Sequence, residues 1–238
     1  MRIHWLQHVP FEDLGTIQTW AEMRAHALTS TLALTEAFPP PADVDWLVVM
    51  GGPMSANDEL GYPWLSAERH FIGEVLDRGA RVLGVCLGAQ LVAQVLGGAV
   101  RPNADREIGW YPVELTQAGR ASPVFGVLPG SFVAGHWHDD TFELPADVVV
   151  AARSEACANQ AFEYDGRVWG LQFHLEWDGA ALERLVAECG GDLVQGRYIQ
   201  RAGELLGRPE RFAASRELMY ELLDAMEEAS ERDHCAAR

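Results

Sequence analysis

Two hydrophobic patterns meet in the stretch Arg81-Val82-Leu83-Gly84-Val85-Cys86-Leu87-Gly88-Ala89-Gln90-Leu91. Residues 82–85 form a short apolar run containing β-branched side chains, which is typical of a buried strand. After Leu87, apolar residues recur at intervals of three and four, which predicts a helix. The segment therefore spans a strand-to-helix junction, with Cys86 at its centre and a glycine two residues away on each side.

A sharp turn at Cys86 would hold its side chain at the end of a sheet and beside a helix N-terminus. This is the geometry of a nucleophile elbow, here with a thiol in place of a hydroxyl. The dipole of the following helix favours the thiolate, which is the nucleophilic form. A buried structural cysteine explains Cys86 equally well when the residue is taken alone. Partners elsewhere in the chain must decide between the two interpretations.

Strands and helices alternate on both sides of this junction. Short apolar strands are predicted at 2–8 and 46–50, and a helix at 64–78. Glu12 and Asp13 form the acidic start of a predicted helix that runs to about residue 26. The alternation predicts an α/β fold built on a mostly parallel open sheet flanked by helices. Ligands of such sheets bind beyond the carboxyl ends of the strands, where Gly52 and Cys86 are expected to lie.

The C-terminal part of the sequence is helical in pattern, with predicted helices at 180–188, 198–206 and 211–230. We expect one α/β domain, with a catalytic part at 1–180 and a helical extension at 181–238 packed on it. The terminal helices could instead form the surface of a homodimer or bind a partner. We favour the simpler interpretation, in which they cover the sheet.

A second candidate for the chemistry is the alternating segment Val168-Trp169-Gly170-Leu171-Gln172-Phe173-His174-Leu175-Glu176-Trp177. Residues two apart on a strand share a face, so His174 and Glu176 can point together. The carboxylate would then orient the imidazole, and a thiol nucleophile needs an oriented base of this kind. Cys86 together with this pair favours catalysis over a structural cysteine.

The bulk composition excludes several classes of protein. The formal net charge of −17 argues against nucleic acid as a partner, because phosphate binding needs clustered Lys and Arg. No apolar run is long enough to cross a bilayer, and the N-terminus lacks the apolar core of a signal peptide. The four cysteines have no paired spacing, so we expect neither a zinc knuckle nor a disulfide framework. A reducing cytoplasm is the expected compartment.

Three motifs in this order resemble class I glutamine amidotransferases, and most closely the stand-alone relatives of the glutaminase domain of GMP synthase. They are Val49-Met50-Gly51-Gly52-Pro53-Met54-Ser55, Gly84-Val85-Cys86-Leu87-Gly88-Ala89-Gln90 and Gly170-Leu171-Gln172-Phe173-His174-Leu175-Glu176. The resemblance implies a flavodoxin-like fold and a glutaminase reaction without a cofactor. It assigns Cys86 as nucleophile, His174 as general base and acid, and Glu176 as the residue that orients His174.

The resemblance also implies further site residues. The backbone N–H groups of Gly52 and Leu87 would form the oxyanion hole, and Gln90 would help to hold glutamine. Two looser matches add substrate-binding residues: Glu107 in the family's Glu-x-Gly segment, and the loop His138, Asp139 and Asp140. Asp139 stands where the family usually has Gly, and Leu175 replaces the usual Pro.

Alternative functions remain open at the level of the sequence. The chain is too short to carry a synthetase domain as well and has no phosphate-binding P-loop, so ammonia would be released or passed to a synthetase on a separate chain. A γ-glutamyl hydrolase or peptidase could use the same triad on a larger leaving group. The sequence gives less support to a metal-dependent hydrolase and to a non-enzymatic interaction protein. The metal-dependent alternative rests on five residues of types that bind metal ions: His136, His138, Asp139, Asp140 and His174.

Overall fold

The computed structural model of the chain describes residues 1–236, with side chains up to residue 229. Its nine strands are β1 (Arg2–Gln7), β2 (Ala27–Leu32), β3 (Trp46–Val49), β4 (Arg81–Val85), β5 (Ala99–Leu115), β6 (Ser131–Glu143), β7 (Val149–Arg153), β8 (Ala161–Tyr164) and β9 (Val168–Leu171). Its seven α-helices are α1 (Thr16–Met23), α2 (Trp64–Asp77), α3 (Leu87–Val95), α4 (Gln117–Ala121), α5 (Gly179–Cys189), α6 (Ala202–Leu206) and α7 (Pro209–Ala236).

All nine strands belong to one open sheet, in the order β2-β1-β3-β4-β9-β8-β7-β5-β6. The strands from β2 to β9 in this order are parallel, and β8, β7, β5 and β6 extend the sheet by antiparallel pairing. The predicted α/β architecture, an open sheet flanked by helices, is confirmed. Its parallel part contains the two central strands, β3 and β4, that lead into the predicted site.

Strands β3 and β4 are hydrophobic on both faces because helices cover both sides of the sheet. Every residue of β3 is buried, and so are residues 82–85 of β4. One core lies between the sheet and helices α1 and α7, and the other between the sheet and helices α2 and α3. The sheet interior therefore fixes the ends of β3 and β4, where the chain turns towards the candidate site.

The N-terminal helix begins later than the sequence analysis predicts. Helix α1 begins at Thr16, and its preceding residue Gly15 adopts a φ of 51°. A Cβ at Gly15 would lie 2.1 Å from the carbonyl oxygen of Glu176, which also accepts the Thr16 N–H at 2.8 Å. This contact starts the helix at Thr16, so Glu12 belongs to the loop that follows β1 rather than to the helix.

The C-terminal helices differ from the prediction in length. Helix α6 begins only at Ala202, because residues 197–198 form a turn and Ile199 forms a bridge with Ile108 of β5. Helix α7 is longer than predicted and ends at Ala236, while the last two residues of the predicted extension lie outside the described part of the chain. The side chains of Met219, Leu222 and Met226 are fully buried in the same core as α1. Among the described residues, no helix is both long and apolar enough to span a membrane.

Candidate active site

Cys86 occupies the turn between β4 and α3 in a strained backbone conformation. Its φ is 53° and its ψ is −110°, a region that non-glycine residues rarely adopt. Two backbone hydrogen bonds hold the turn: the Cys86 N–H donates to the Leu171 carbonyl at 2.7 Å, and the Gly88 N–H donates to the Met50 carbonyl at 3.1 Å. The neighbouring strands β3 and β9 thus impose the conformation that places the thiol at the sheet edge.

The two glycines around Cys86 allow the helix to approach the sheet. A Cβ at Gly88 would lie 1.9 Å from the carbonyl oxygen of Val49, and a Cβ at Gly84 would lie 2.6 Å from the backbone nitrogen of Ala89. A larger residue at either position would push α3 away from β3 or β4. The Gly-x-Cys-x-Gly pattern is therefore a consequence of close helix-to-strand packing.

The residue Cys86 is 7% exposed, and its thiol faces polar groups. Its Sγ lies 3.6 Å from the carbonyl oxygen of Trp137. The Gln172 side-chain amide donates to the sulfur at 3.7 Å and accepts from the Gln90 amide at 3.1 Å. Gln90 therefore reaches the thiol through Gln172, a residue that the sequence analysis did not select.

His174 and Glu176 form the predicted pair. The Nδ1 atom of His174 lies 2.5 Å from Oε1 of Glu176, and both side chains are almost completely buried. The Leu175 N–H donates to the other carboxylate oxygen at 3.0 Å. A proline at position 175 would lack this N–H, so the departure from the family pattern gives Glu176 an additional hydrogen bond.

The strand that was predicted to carry this pair ends earlier than expected. Strand β9 ends at Leu171, and residues 172–177 continue as an irregular segment with several bends, with a bridge between His174 and Gly135 of β6. This bridge consists of two hydrogen bonds, of 2.8 and 3.0 Å. The side chains of His174 and Glu176 still meet although the segment bends, as their contact at 2.5 Å shows.

The surroundings of His174 favour its charged form. Its ring stacks on the indole of Trp177, with centroids 4.1 Å apart. Burial alone would lower the pKa of the ring, but the Glu176 carboxylate and the Cys86 sulfur raise the pKa of His174 to about 10. The imidazole is therefore held as a protonated group at neutral pH, next to the thiol.

The peptide between Gly51 and Gly52 follows β3. Gly52 lines the cavity that also contains Cys86 and His174. The carbonyl oxygen of this peptide accepts a hydrogen bond from Nδ1 of His8 at 2.8 Å. Because the peptide is trans, the Gly52 N–H points away from His8. Within residues 1–236, neither this N–H nor that of Leu87, at the first position of α3, has a hydrogen-bond acceptor. Both donors are thus available to a ligand, and their role as an oxyanion hole stays a prediction.

His8 is a further site residue that the sequence analysis missed. It is fully buried, stacks on Trp64 and has its Nε2 atom 2.9 Å from the Glu68 carboxylate. Burial lowers the pKa of His8, but Glu68 and the bond to Gly51 outweigh burial, so the pKa is raised. His8 follows β1 at its carboxyl end, a position that could have signalled its role. Glu68 lies on α2, and its pairing with His8 could not be inferred from the sequence.

The predicted substrate-binding residues separate into two groups. Gln90, His138, Asp139 and Asp140 line a cavity of about 280 Å³ that also contains Cys86 and His174. Glu107 does not line it. Its carboxylate lies behind His138, 3.1 Å from the Nε2 atom, and it also accepts from Ser154 at 2.8 Å.

Residues 138–140, which the resemblance places in a loop, belong instead to strand β6 and are held by side chains on both sides. His138 donates from Nδ1 to the carbonyl of Asp140 at 3.0 Å, and the Ser55 hydroxyl donates to the Asp140 carboxylate at 2.9 Å. Asp139, which replaces the usual glycine, pairs with Arg106. The extra side chain at position 139 therefore points to the cavity rim, where it is neutralised.

The metal-site hypothesis receives little support from the geometry. Within the described residues, one group could hold an ion: Glu107, His136 and His138, whose ligand atoms lie within 4.8 Å of one another. The Gln160 amide already donates to Glu107 at 2.7 Å and approaches Nδ1 of His136 at 3.4 Å. The group is better described as a buried hydrogen-bond network behind His138.

The cavity also includes residues from outside the three motifs. Glu12 borders it from the loop after β1, and three residues of the C-terminal segment complete its wall: Leu185, Cys189 and Asp192. Asp192 accepts the indole N–H of Trp137 at 3.1 Å. No local sequence signal marks these residues, because their place in the site depends on how α5 packs.

Comparison with known proteins agrees with this arrangement. The model of the family "Glutamine amidotransferase class-I" matches residues 21–186. The chain is 36% identical over 234 residues to the glutamine amidotransferase-like protein YfeJ of Salmonella typhimurium, covering 95% of this chain and 97% of YfeJ. It is 34% identical over 179 residues to the glutamine-hydrolyzing GMP synthase of Aeropyrum pernix, covering 75% of this chain but only 32% of that synthase.

Solved structures give the same result. A glutamine amidotransferase from Thermotoga maritima matches with a TM-score of 0.84 and 30% identity, covering 95% of this chain and 97% of the other. A glutamine amidotransferase from Methylobacillus flagellatus matches with a TM-score of 0.89 and 26% identity, covering 96% and 94%. The family model, the sequence relatives and the fold agree, and the chain belongs to the class I glutamine amidotransferase family.

Proposed function

We propose that the protein hydrolyses the γ-amide of glutamine, or of a closely related γ-glutamyl compound, to glutamate and ammonia. The observation that carries this proposal is the meeting of Cys86, on a strained strand-to-helix turn, with His174, paired to Glu176 at 2.5 Å, in one cavity. A thiol nucleophile, an oriented imidazole and free backbone N–H donors are the parts that acyl transfer requires. Family membership supports the same reaction class.

In the first half of the proposed reaction, the Cys86 proton resides on His174 and the thiolate attacks the amide carbon. A C–S bond forms, and the carbonyl electrons move to the oxygen, where the Gly52 and Leu87 N–H groups stabilise the negative charge. When the carbonyl re-forms, the C–N bond breaks and the His174 imidazolium gives its proton to the nitrogen. Ammonia leaves, and the γ-glutamyl group remains on sulfur as a thioester.

In the second half, water attacks the thioester and His174 accepts a proton from it. Collapse of this second tetrahedral species breaks the C–S bond and releases the γ-carboxylic acid, which loses its remaining proton to solvent or to ammonia and becomes glutamate. The thiolate and the imidazolium are then restored, so the cycle is balanced without a cofactor. Glu176 orients His174 and stabilises its charge throughout, and it does not itself need to exchange a proton.

The destination of ammonia is part of the proposal. One of the subunits of the glutamine-hydrolyzing GMP synthase of Halobacterium salinarum matches over 85% of its length at 32% identity. We propose that ammonia is either released or passed to a synthetase on a separate chain, by analogy with that separate subunit. Cys86, Cys157 and Cys189 are free thiols, which is consistent with a reducing compartment such as the cytoplasm.

Product analysis tests the proposal. Glutamate and ammonia would be measured with glutamine and with a set of γ-glutamyl amides and peptides, using Cys86→Ala and the buried Cys157→Ala as matched variants. We expect equal release of the two products from glutamine by the wild-type protein and by Cys157→Ala, and none by Cys86→Ala. Cleavage of γ-glutamyl peptides without cleavage of glutamine would reassign the protein as a γ-glutamyl hydrolase. Full activity in Cys86→Ala would exclude the triad.

A further inference from the structure

The catalytic cavity is acidic. Four carboxylates border it, from Glu12, Asp139, Asp140 and Asp192, and within the described chain no Lys or Arg side chain lines it. Such a lining attracts positive charge and repels a carboxylate. Most of these carboxylates already pair with or accept hydrogen bonds from other side chains of the protein. A carboxylate without such a partner is the one that a substrate can bind.

Three of the four carboxylates have partners in the protein. Arg106 pairs with Asp139 and lies 3.7 Å from Asp192, which also accepts the Trp137 indole N–H. Asp140 accepts from Ser55. The carboxylate of Glu12 differs from these: within the described side chains it has no hydrogen bond and no ion pair. It is therefore the carboxylate that remains free to bind a ligand.

The position of Glu12 places it beside the reacting groups. A Cβ built on Gly51 would lie 2.5 Å from Oε2 of Glu12, 3.5 Å from Cε1 of His174 and 3.6 Å from Cβ of Cys86. These three side chains thus surround one glycine, at the start of the segment that carries the Gly52 N–H. A larger residue at position 51 would displace Glu12, so the glycine permits its approach.

Glu12 is not needed to orient the catalytic histidine. Nδ1 of His174 is already bound to Glu176, and the opposite side of the ring faces the thiol. Burial raises the pKa of Glu12, while the rings of His174 and His8 act in the opposite direction. A partly buried carboxylate with no hydrogen-bond donor is costly, and a positively charged or N–H-bearing ligand would relieve this cost.

The leaving group must occupy the space next to His174, because this residue delivers the proton to the departing nitrogen. We propose that Glu12 determines specificity for the leaving group: it favours substrates that release ammonia or an amine carrying a second positive charge, and it disfavours γ-glutamyl dipeptides, whose leaving amine carries a carboxylate. This inference rests on the proposed function of the site and names the substrate class within it.

Binding measurements test the inference independently of turnover. Cys86→Ala protein would be titrated calorimetrically with glutamine, with the mono-γ-glutamyl amide of 1,4-diaminobutane and with γ-glutamylglycine. We expect the cationic amide to bind at least about tenfold more tightly than γ-glutamylglycine, the factor associated with one charge-assisted hydrogen bond. Adding Glu12→Gln should abolish this difference, whereas Glu12→Asp, which keeps the charge, should preserve its direction.

The control is Glu22→Gln, which removes one negative charge from the exposed face of α1 and should leave the order of affinities unchanged. An order of affinities that is the same with and without the Glu12 carboxylate overturns the inference, as does a failure of all three compounds to bind. Glutamate release by the wild-type protein is measured in parallel. Charge-dependent binding without release would refute the proposed function alone, and release with charge-independent binding would refute only the role of Glu12.

Discussion

At the residue scale, the site depends on the charge of one histidine. Glu176 and Cys86 raise the pKa of His174 to about 10, against the effect of burial. The imidazolium that would protonate the leaving nitrogen in the proposed reaction is therefore present from neutral pH to mildly alkaline pH. Activity should fall only as His174 loses its proton, which predicts an alkaline limb in the pH profile near pH 10.

Substitution Glu176→Gln tests this electrostatic role. Removal of the carboxylate destabilises the imidazolium, so the pKa of His174 falls and the alkaline limb moves towards neutral pH. We also expect kcat/KM to fall by roughly 10²- to 10⁴-fold, the range associated with general acid–base catalysis. Glu74→Gln is the matched control, since Glu74 faces the exposed ring of His70 at 3.7 Å. An unchanged alkaline limb in Glu176→Gln would contradict the role of this carboxylate.

His8 supplies a second prediction at this scale. Its bond to the Gly51 carbonyl fixes the peptide whose N–H faces the cavity, so His8→Leu should let this peptide rotate. We expect kcat to fall by about tenfold or more with little change in KM, because an oxyanion-hole donor acts mainly in the transition state. His70→Leu, at an exposed position on α2, should have no such effect. A loss confined to KM would show that His8 acts on substrate binding instead.

At the element scale, the close approach of α3 to β3 is the packing feature on which the elbow most depends. The substitution Gly88→Ala places a methyl group 1.9 Å from the Val49 carbonyl oxygen, so the helix must shift. We expect a loss of roughly 1–3 kcal/mol in the free energy of unfolding, together with a displaced Cys86. Denaturant unfolding measures the loss. Gly203→Ala in α6 is the control, because a Cβ there meets no atom within 4 Å. Equal stability of both variants would contradict the packing argument.

The elements that the sequence predicts well are those with strong local patterns. The apolar runs of β3 and β4 and the change of period after Cys86 locate the elbow, and the alternation around His174 places the histidine and Glu176 together. The end of β9 at Leu171 could not be predicted, because the alternation continues through the irregular segment that Gly135 holds. The start of α1 at Thr16 depends on the contact between Gly15 and Glu176, which is distant in sequence.

The residues that the sequence analysis missed are joined to the site by tertiary packing alone. Glu12 and His8 follow β1, whose neighbour β3 carries the Gly51–Gly52 peptide. Their proximity to Cys86 follows from the strand order, which local patterns do not specify. The pairing of His8 with Glu68 likewise requires α2 to lie over that end of the sheet.

At the scale of the whole molecule, the C-terminal helices belong to the structure that supports the site. Leu223 of α7 is fully buried in the core that also contains Trp20 and Trp169. Leu223→Ala should therefore lower the free energy of unfolding by about 2–5 kcal/mol, as measured by denaturant titration. Glu221→Ala, on the exposed face of the same helix, should change it by less than about 0.5 kcal/mol. Similar small effects for both would mean that α7 does not contribute to the core.

The sheet as a whole brings the reacting groups together. Strands β1, β3, β4 and β9 are neighbours, and the chain leaves each of them at the same end to supply Glu12, Gly52, Cys86 and His174. The antiparallel pair of β5 and β6 adds Trp137 and His138. The central claim is that, of the thiols at this site, Cys86 is the one that forms the γ-glutamyl thioester.

Covalent labelling tests this claim most directly. The full chain would be treated with a diazoketone analogue of glutamine, and the modified cysteine would be identified by peptide mass spectrometry. Burial raises the pKa of Cys157 and raises that of Cys189 to about 11, so neither thiol should compete. We predict a single label on Cys86 that glutamine prevents and that Glu176→Gln slows. Labelling of Cys189, or labelling of Cys86 that glutamine does not prevent, would contradict the account.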